Sequence, residues 1–261
     1  MAELVDQVLV DEAPLGVDRA ALADRRSGLL VAIEGADGSG KSTLVTNLAK
    51  QLRDAGRAVV EYKYPDYQDP LTGELVGSFL RGELGDVEDV APELVALMFA
   101  ANKNGQLKAI EAELGRGAIV LLDRFTYSNV AFQSAKLPAE RSDDAAAFMS
   151  WVKRVEQEIF ACPDADLTIW MKVGSGDRPG SDPTRRPDRD YLNGSIDIHE
   201  NDQELQARVE AIYQELATSE PSIKTIEVFN SGLGRLRPPK QLASEALELV
   251  LEAERGLSEF S

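Results

Sequence analysis

The sequence predicts an α/β protein of three layers: a mostly parallel, five-stranded sheet with helices on both faces and a mobile lid. Three observations predict it. Five short apolar segments recur along the chain, segments with helical spacing lie between them, and a glycine-rich loop separates the first strand from the first helix.

Leu29 to Ile33 is a continuous apolar run, as in a strand covered on both faces, and Gly35 ends it. Leu44, Val45, Leu48 and Leu52 then recur at helical spacing, with Gly56 as the stop. Ala58 to Tyr62 is the second strand. Pro65 and Pro70 punctuate a loop, Leu75 to Leu80 reads as a short helix, and Pro92 opens a long helix reaching Leu114. Ala118 to Leu122 is the third buried strand. Phe148, Trp151, Val152, Val155 and Ile159 share one face of a helix, and Leu167 to Val173 is the fourth strand. Gly174 to Glu200 is poor in apolar residues and rich in Gly, Pro, Asp and Arg, which predicts a long mobile loop. Leu205, Val209, Ile212 and Leu216 mark a further helix, Ile223 to Phe229 the fifth strand, and Gln241 to Glu254 the last helix. Residues 1–27 read as an acidic N-terminal extension and residues 28–261 as one domain.

The composition excludes several function classes. Against 28 basic residues stand 45 acidic ones, a net charge of −17, which argues against broad electrostatic binding to nucleic acid or to an anionic membrane. No apolar run approaches the about 20 residues of a membrane span. The N-terminus lacks the basic start and apolar core of a secretory signal. Cys162 is the one cysteine, so no intrachain disulfide can form, and no Cys/His cluster has zinc-ligand spacing. A cytoplasmic protein is expected.

Gly35-Ala36-Asp37-Gly38-Ser39-Gly40-Lys41-Ser42 fits G-x-x-x-x-G-K-[ST] between a strand and a helix. Glycines let the chain curl until successive N–H groups face one concavity, and the following helix directs its positive end there. The product is a phosphate cradle, the P-loop of NTP-binding proteins. Lys41 is placed to bridge the β- and γ-phosphates of ATP, and the Ser42 hydroxyl to take a Mg²⁺ coordination position. Thr43 follows in the first helical turn. Asp123, directly after the third strand, stands where such proteins hold Mg²⁺ through water, with Arg124 beside it; by itself the pair also reads as a local ion pair. Arg178, Arg185, Arg186 and Arg189 gather in the long loop, where they can close on a nucleotide, although four neighbouring aspartates can equally cancel them.

Ile33 to Thr43 resembles the EGxDGxGKST loop of thymidylate kinases, with the unusual acid Asp37 inside it. Tyr64-Pro65-Asp66-Tyr67 resembles that family's FP loop, Leu71 to Gly82 its TGxLIxxYLxG helix, and Met98 to Lys103 its LFxANR segment. Asp123 to Gln133 resembles DRYxxSxxAYQ, and Asp197 to Tyr213 the segment after the lid. The resemblance spans Leu29 to Val250. It implies a P-loop NTPase fold whose lid covers about residues 174–200, with ATP and Mg²⁺ required and ATP and dTMP as nucleotide substrates, and it implies a homodimer. It places Asp37 near the acceptor's 3′-hydroxyl and phosphate, Arg124 on the acceptor phosphate, Phe99 stacked on the base, Tyr64 in the substrate site, Ser128 and Asn129 in the base pocket, and Phe132 against the deoxyribose. The catalytic set it implies is Lys41, Asp37, Arg124 and the lid residues Arg185 and Arg186, because Gly38 brings no side chain to the loop.

This chain departs from the pattern at Lys103, which stands where the family has an arginine, and lysine lacks a planar fork. Asp66 occupies a position often basic in relatives. His199, the single histidine, reads as a lid-hinge residue rather than a base, since an anionic acceptor phosphate needs little help in losing a proton. The alternatives left open are another pyrimidine deoxynucleotide as acceptor, such as dUMP or a 5-modified dUMP, and a non-catalytic nucleotide-binding module.

Overall fold

The computed structural model describes residues 27–85, 89–174, 203–230 and 232–259. The N-terminal extension up to residue 26, the arginines Arg178, Arg185, Arg186 and Arg189, and His199 lie outside the described residues.

Five parallel strands form the sheet in the order β2-β3-β1-β4-β5: β1 (Leu29–Glu34), β2 (Val59–Lys63), β3 (Ile119–Asp123), β4 (Leu167–Lys172) and β5 (Ile223–Glu227). The continuous apolar runs take the centre. Every residue of β1 and β3 is buried, whereas the edge strands β2 and β5 alternate between covered and open positions.

Alternation along β1 divides the core between the two faces. Leu29, Val31 and Ile33 pack with Leu44, Leu48 and Leu52 of α1 (Lys41–Asp54) and with Ala243 and Val250 of the C-terminal helix (Pro239–Glu259). Leu30 and Ala32 turn the other way, onto Leu107, Ile110 and Leu114. Those three belong to α3 (Pro92–Gly115), which follows the short α2 (Gly73–Leu80). The same face is completed by α4 (Thr126–Ser134), α5 (Ala145–Arg154) and α6 (Gln203–Ser219), which enclose Trp170 and Tyr213. Counting in chain order, the C-terminal helix is α7.

Two sequence expectations are corrected. The helix expected from Phe148 to Ile159 leaves α geometry after Arg154 and runs through a π turn at Val155–Ile159. Glu156, four residues after Val152 and seven after Met149, stays on the buried face, whereas Ile159, which an α-period would bury, is 63% exposed. The fifth strand stops at Glu227 rather than Phe229. Phe229–Asn230 (β6) instead pairs antiparallel with Arg235–Leu236 (β7), and the chain turns back through Gly234 at φ 62°.

Register brings the chemistry together: Asp123 lies beside Ile33 on one side and Lys63 on the other, so the carboxyl ends of β1, β2 and β3 converge. This is the crevice where ligands of open α/β sheets bind. Among the described residues, no helix is long and apolar enough to cross a membrane.

Candidate active site

The loop from Gly35 to Ser42 turns on glycines with positive φ: 143° at Gly35, 75° at Gly38 and 91° at Gly40, which is also the residue before α1. A Cβ at Gly35 would lie 2.8 Å from the carbonyl oxygen of Met171, so only glycine allows the loop to leave β1 so close to β4. Ala36 and Ser39 are buried beneath the curl, and Thr43 continues into α1. Lys41 folds back across the loop, donating from Nζ to the carbonyl oxygens of Ala36 at 2.8 Å and Gly35 at 3.1 Å. Burial of its ammonium, reinforced by the nearby Arg124 charge, lowers its pKa to about 8.

Ser42 Oγ donates to Asp123 Oδ2 at 2.5 Å, and Lys63 Nζ lies 3.9 Å from the same carboxylate. A hydroxyl and a carboxylate in contact at the helix start form a hard-oxygen pair that fits Mg²⁺, an ion that takes few protein ligands and fills its remaining positions with phosphate and water.

Arg124 follows β3 with φ 71°, a left-handed conformation uncommon for a non-glycine residue. Its guanidinium ion-pairs with Asp37, donates to Gly35 O and to Ser128 Oγ at 3.2 Å each, and lies 5.1 Å from the Phe132 ring centroid. Asp37 is also clamped by Gln206 of α6, whose Oε1 accepts from the Asp37 N–H at 2.9 Å and whose Nε2 donates to Oδ2 at 2.8 Å.

Beneath this pair sits Glu34, fully buried at the end of β1. It accepts from the N–H groups of Phe125 and Ser128, from the Ser128 hydroxyl, and from Tyr213 Oη at 2.8 Å. Helix α4 has no side-chain cap of its own, so a carboxylate 91 residues before Phe125 supplies one. Burial and the Glu34 charge hold the Tyr213 phenol well above its usual pKa, so it stays a donor.

One cavity of about 470 Å³ runs from this loop to an aromatic end. Phe99, edge-on to Phe79 at 6.3 Å, and the buried Tyr64 line that end. Lys103 and Asn129 form a polar corner. Lys103 Nζ donates to Glu156 Oε1 at 2.5 Å, and Asn129 Nδ2 donates to the same oxygen at 2.7 Å and to Ala96 O at 2.9 Å. Asn129 Oδ1 and Gln133 Oε1 have no hydrogen-bond partner among the described residues. Asp66 serves the loop itself: its carboxylate accepts from Gln68 N–H at 3.0 Å and from Gln106 Nε2 at 2.5 Å.

The structure therefore gathers Lys41, Ser42, Asp123, Asp37, Arg124, Tyr64, Phe99, Lys103, Ser128, Asn129 and Phe132 around one cavity. Sequence reasoning missed Glu34, Gln206, Tyr213, Glu156, Gln133 and Lys63. Two of these left a trace: Gln206 and Tyr213 share the apolar stripe of α6 with Val209, and a polar residue on a buried stripe marks a partner.

Comparison with known proteins identifies the family. The family model for thymidylate kinase matches residues 33–233. A thymidylate kinase of Mycobacterium tuberculosis is 34% identical over 192 residues, covering 72% of this chain and 86% of that protein. The human thymidylate kinase is 36% identical over 152 residues, covering 58% of this chain and 64% of that protein. A solved thymidylate kinase from Candida albicans shares the fold with a TM-score of 0.63 at 22% identity, covering 88% of this chain and 94% of that chain. With a family model spanning more than half of its length and a relative this similar over most of it, the chain belongs to the thymidylate kinase family.

Proposed function

We propose that this chain transfers the γ-phosphoryl group of ATP to dTMP, giving ADP and dTDP. The bond from the β–γ bridging oxygen to the γ-phosphorus breaks, and a bond from an acceptor phosphate oxygen to that phosphorus forms. The observation that carries this reading is the single cavity joining the phosphate loop to an aromatic end with a fixed polar corner.

In this reading Lys41 leaves the loop carbonyls for the β- and γ-phosphate oxygens, where an ammonium offsets charge carried to the leaving group. Arg124, held by Asp37 and Gly35 O, offers its planar donors to the acceptor phosphate. Phe99 covers the base, and Phe132 crowds the sugar where a ribose would carry its 2′-hydroxyl. Asn129 has spent both Nδ2 hydrogens on acceptors, so its carbonyl oxygen is what it offers a ligand, and this suits the N3–H of an imide base such as thymine. Lys103 brings spare N–H donors for O4. Ser42 and Asp123 would hold Mg²⁺, whose charge, when bound, neutralises the donor phosphates. Arg185 and Arg186 complete the catalytic set from the lid. The implied homodimer and cytoplasmic location belong to the same reading. The exposed Leu71, Leu75 and Leu94 near the acceptor-side helices support pairing, which sedimentation would test.

The test is ATP consumption with Mg²⁺ against dTMP, dUMP, 5-hydroxymethyl-dUMP, dCMP, dGMP and dAMP. Preference for dTMP is expected. Turnover of dCMP in preference to every imide base, or no acceptor-dependent consumption at all, would refute the reading.

A further inference from the structure

Glu156 has no place in the phosphate chemistry, yet it is fully buried, and both of its oxygens are engaged beside the base end of the cavity. Its Oε1 accepts from Lys103 Nζ at 2.5 Å and from Asn129 Nδ2 at 2.7 Å, and its Oε2 accepts from Thr126 Oγ1 at 2.7 Å. It stands in the π turn at Val155–Ile159, in line with the buried Met149 and Val152 of the preceding helix. A carboxylate buried completely against two cavity-lining residues is costly unless it is paired, so its presence there asks for a reason.

We propose that Glu156 is a positioning residue that sets acceptor-base specificity by locking the Asn129 amide. An asparagine side chain is nearly symmetric in shape, and rotation by half a turn exchanges an acceptor for a donor. At Asn129 both neighbours, Ala96 O and Glu156 Oε1, are pure acceptors, so Nδ2 must face them and Oδ1 must remain for the ligand. Lys103 works against this arrangement. Its ammonium shares the same Glu156 oxygen with Asn129, and among the described residues no other acceptor is in place for it. The turned Asn129 amide would supply one, and it would then present N–H groups to the base. At N3 such a corner accepts the bare nitrogen of cytosine and rejects the N–H of thymine, while Lys103 still faces position 4. Glu156 thus does two things with one atom: it satisfies the lysine and fixes the reader.

This inference rests on the dTMP kinase reading, and its test separates the two. The full chain and the variants E156Q, E156M, K103M and K103M/E156M are assayed for kcat/KM with dTMP and with dCMP, and for ADP affinity as a check on the donor site. In E156Q the amide oxygen can still accept from Lys103 and Asn129 while the amide nitrogen donates to Thr126 Oγ1. E156Q is therefore expected to hold the dTMP-to-dCMP ratio within about threefold of wild type, and E156M to lower it at least about tenfold with ADP affinity unchanged. K103M/E156M leaves no stranded charge and serves should E156M fail to fold; because K103M itself removes the donors assigned to O4, the double variant is read against K103M, and with Ala96 O as the one remaining anchor its ratio falls below that of K103M. Equal loss on both acceptors in E156M, a double-variant ratio equal to that of K103M, or equal loss of discrimination in E156Q and E156M would overturn the role of Glu156 and leave the kinase reading intact. A wild-type chain silent with every acceptor would overturn both.

Discussion

The phosphate loop carries a proton equilibrium that nucleotide binding must reverse. Lys41 is buried, and desolvation brings its pKa to about 8, whereas an exposed lysine titrates at 10.5. A depression of this size corresponds to about 3 kcal/mol against the charged form. Phosphate oxygens replace the missing solvation, so the nucleotide-bound lysine regains a pKa near its ordinary value. At pH 9 about one free molecule in eleven carries the proton, while the complex carries it almost fully, so ADP affinity should fall about tenfold between pH 7 and pH 9, about 1.4 kcal/mol. The same linkage requires uptake of about 0.9 proton per ADP bound at pH 9 and little at pH 7. Calorimetric titration in two buffers of different ionisation enthalpy measures that uptake directly, and K41R should abolish it. Equal affinity at both pH values, with no buffer-dependent heat, would refute the argument. The sign for stability is opposite. Between pH 8 and 10.5 the unfolded chain binds more protons at this site than the folded one, so Lys41 makes the nucleotide-free protein more stable as pH rises through that window.

Three further outcomes are expected. E34Q places an N–H₂ among four donors, from Phe125 N, Ser128 N, Ser128 Oγ and Tyr213 Oη, and should cost about 2–4 kcal/mol in urea unfolding; a change below about 0.5 kcal/mol would contradict the hub. G35A adds a contact 2.8 Å from Met171 O, whereas a Cβ at Gly40 meets nothing nearer than 3.8 Å, so G35A should lower the melting temperature more than G40A, with about 1–3 kcal/mol of added strain; the reverse order would refute this account of the loop. D123N should raise the Mg²⁺ concentration needed for half-maximal turnover while leaving the melting temperature near wild type; an unchanged Mg²⁺ requirement would remove Asp123 from the metal site.

What could be read from the sequence followed from how strongly one local requirement dictated residue type. Strands β1 and β3 are buried on both faces, so their apolar runs announced them, and the phosphate loop needs glycine where backbone crowds it. Helix α4 gave no periodic signal because eight of its nine residues are buried, its hydroxyl and amide side chains among them. A helix covered on all sides has no polar face to set against an apolar one. The π turn was hidden for a related reason. Phe148, Trp151, Val152, Val155 and Ile159 fit an α-period, yet Ile159 ends up exposed, while the residue that matters to the cavity, Glu156, is a charged one in line with Met149 and Val152. The partnerships Glu34–Tyr213 and Asp37–Gln206 join residues more than 160 positions apart, and strand order, which no local pattern encodes, decides that they meet.

A chain with net charge −17 that takes up polyphosphates must still place cations in a cavity with low solvent access. An unpaired buried cation is costly, and the buried ones lining this cavity have oxygen partners in place: Lys103 has Glu156, Arg124 has Asp37 and Lys41 lies on loop carbonyls, while the exposed Lys63 faces Asp123. The partners differ in what they permit. Glu156 has all its contacts inside the protein, so its hold on Lys103 is structural and belongs to the base end. Lys41 rests on neutral carbonyls, and Lys63, 63% exposed, stands 3.9 Å from a carboxylate that Ser42 also engages. These two ammonium groups have the weakest ties and stand at the phosphate end, where a dianionic ligand can take them over at little cost. The excess of acid is thus spread over the outer surface and used as fixed counter-ions within, which keeps the cations oriented for phosphoryl transfer.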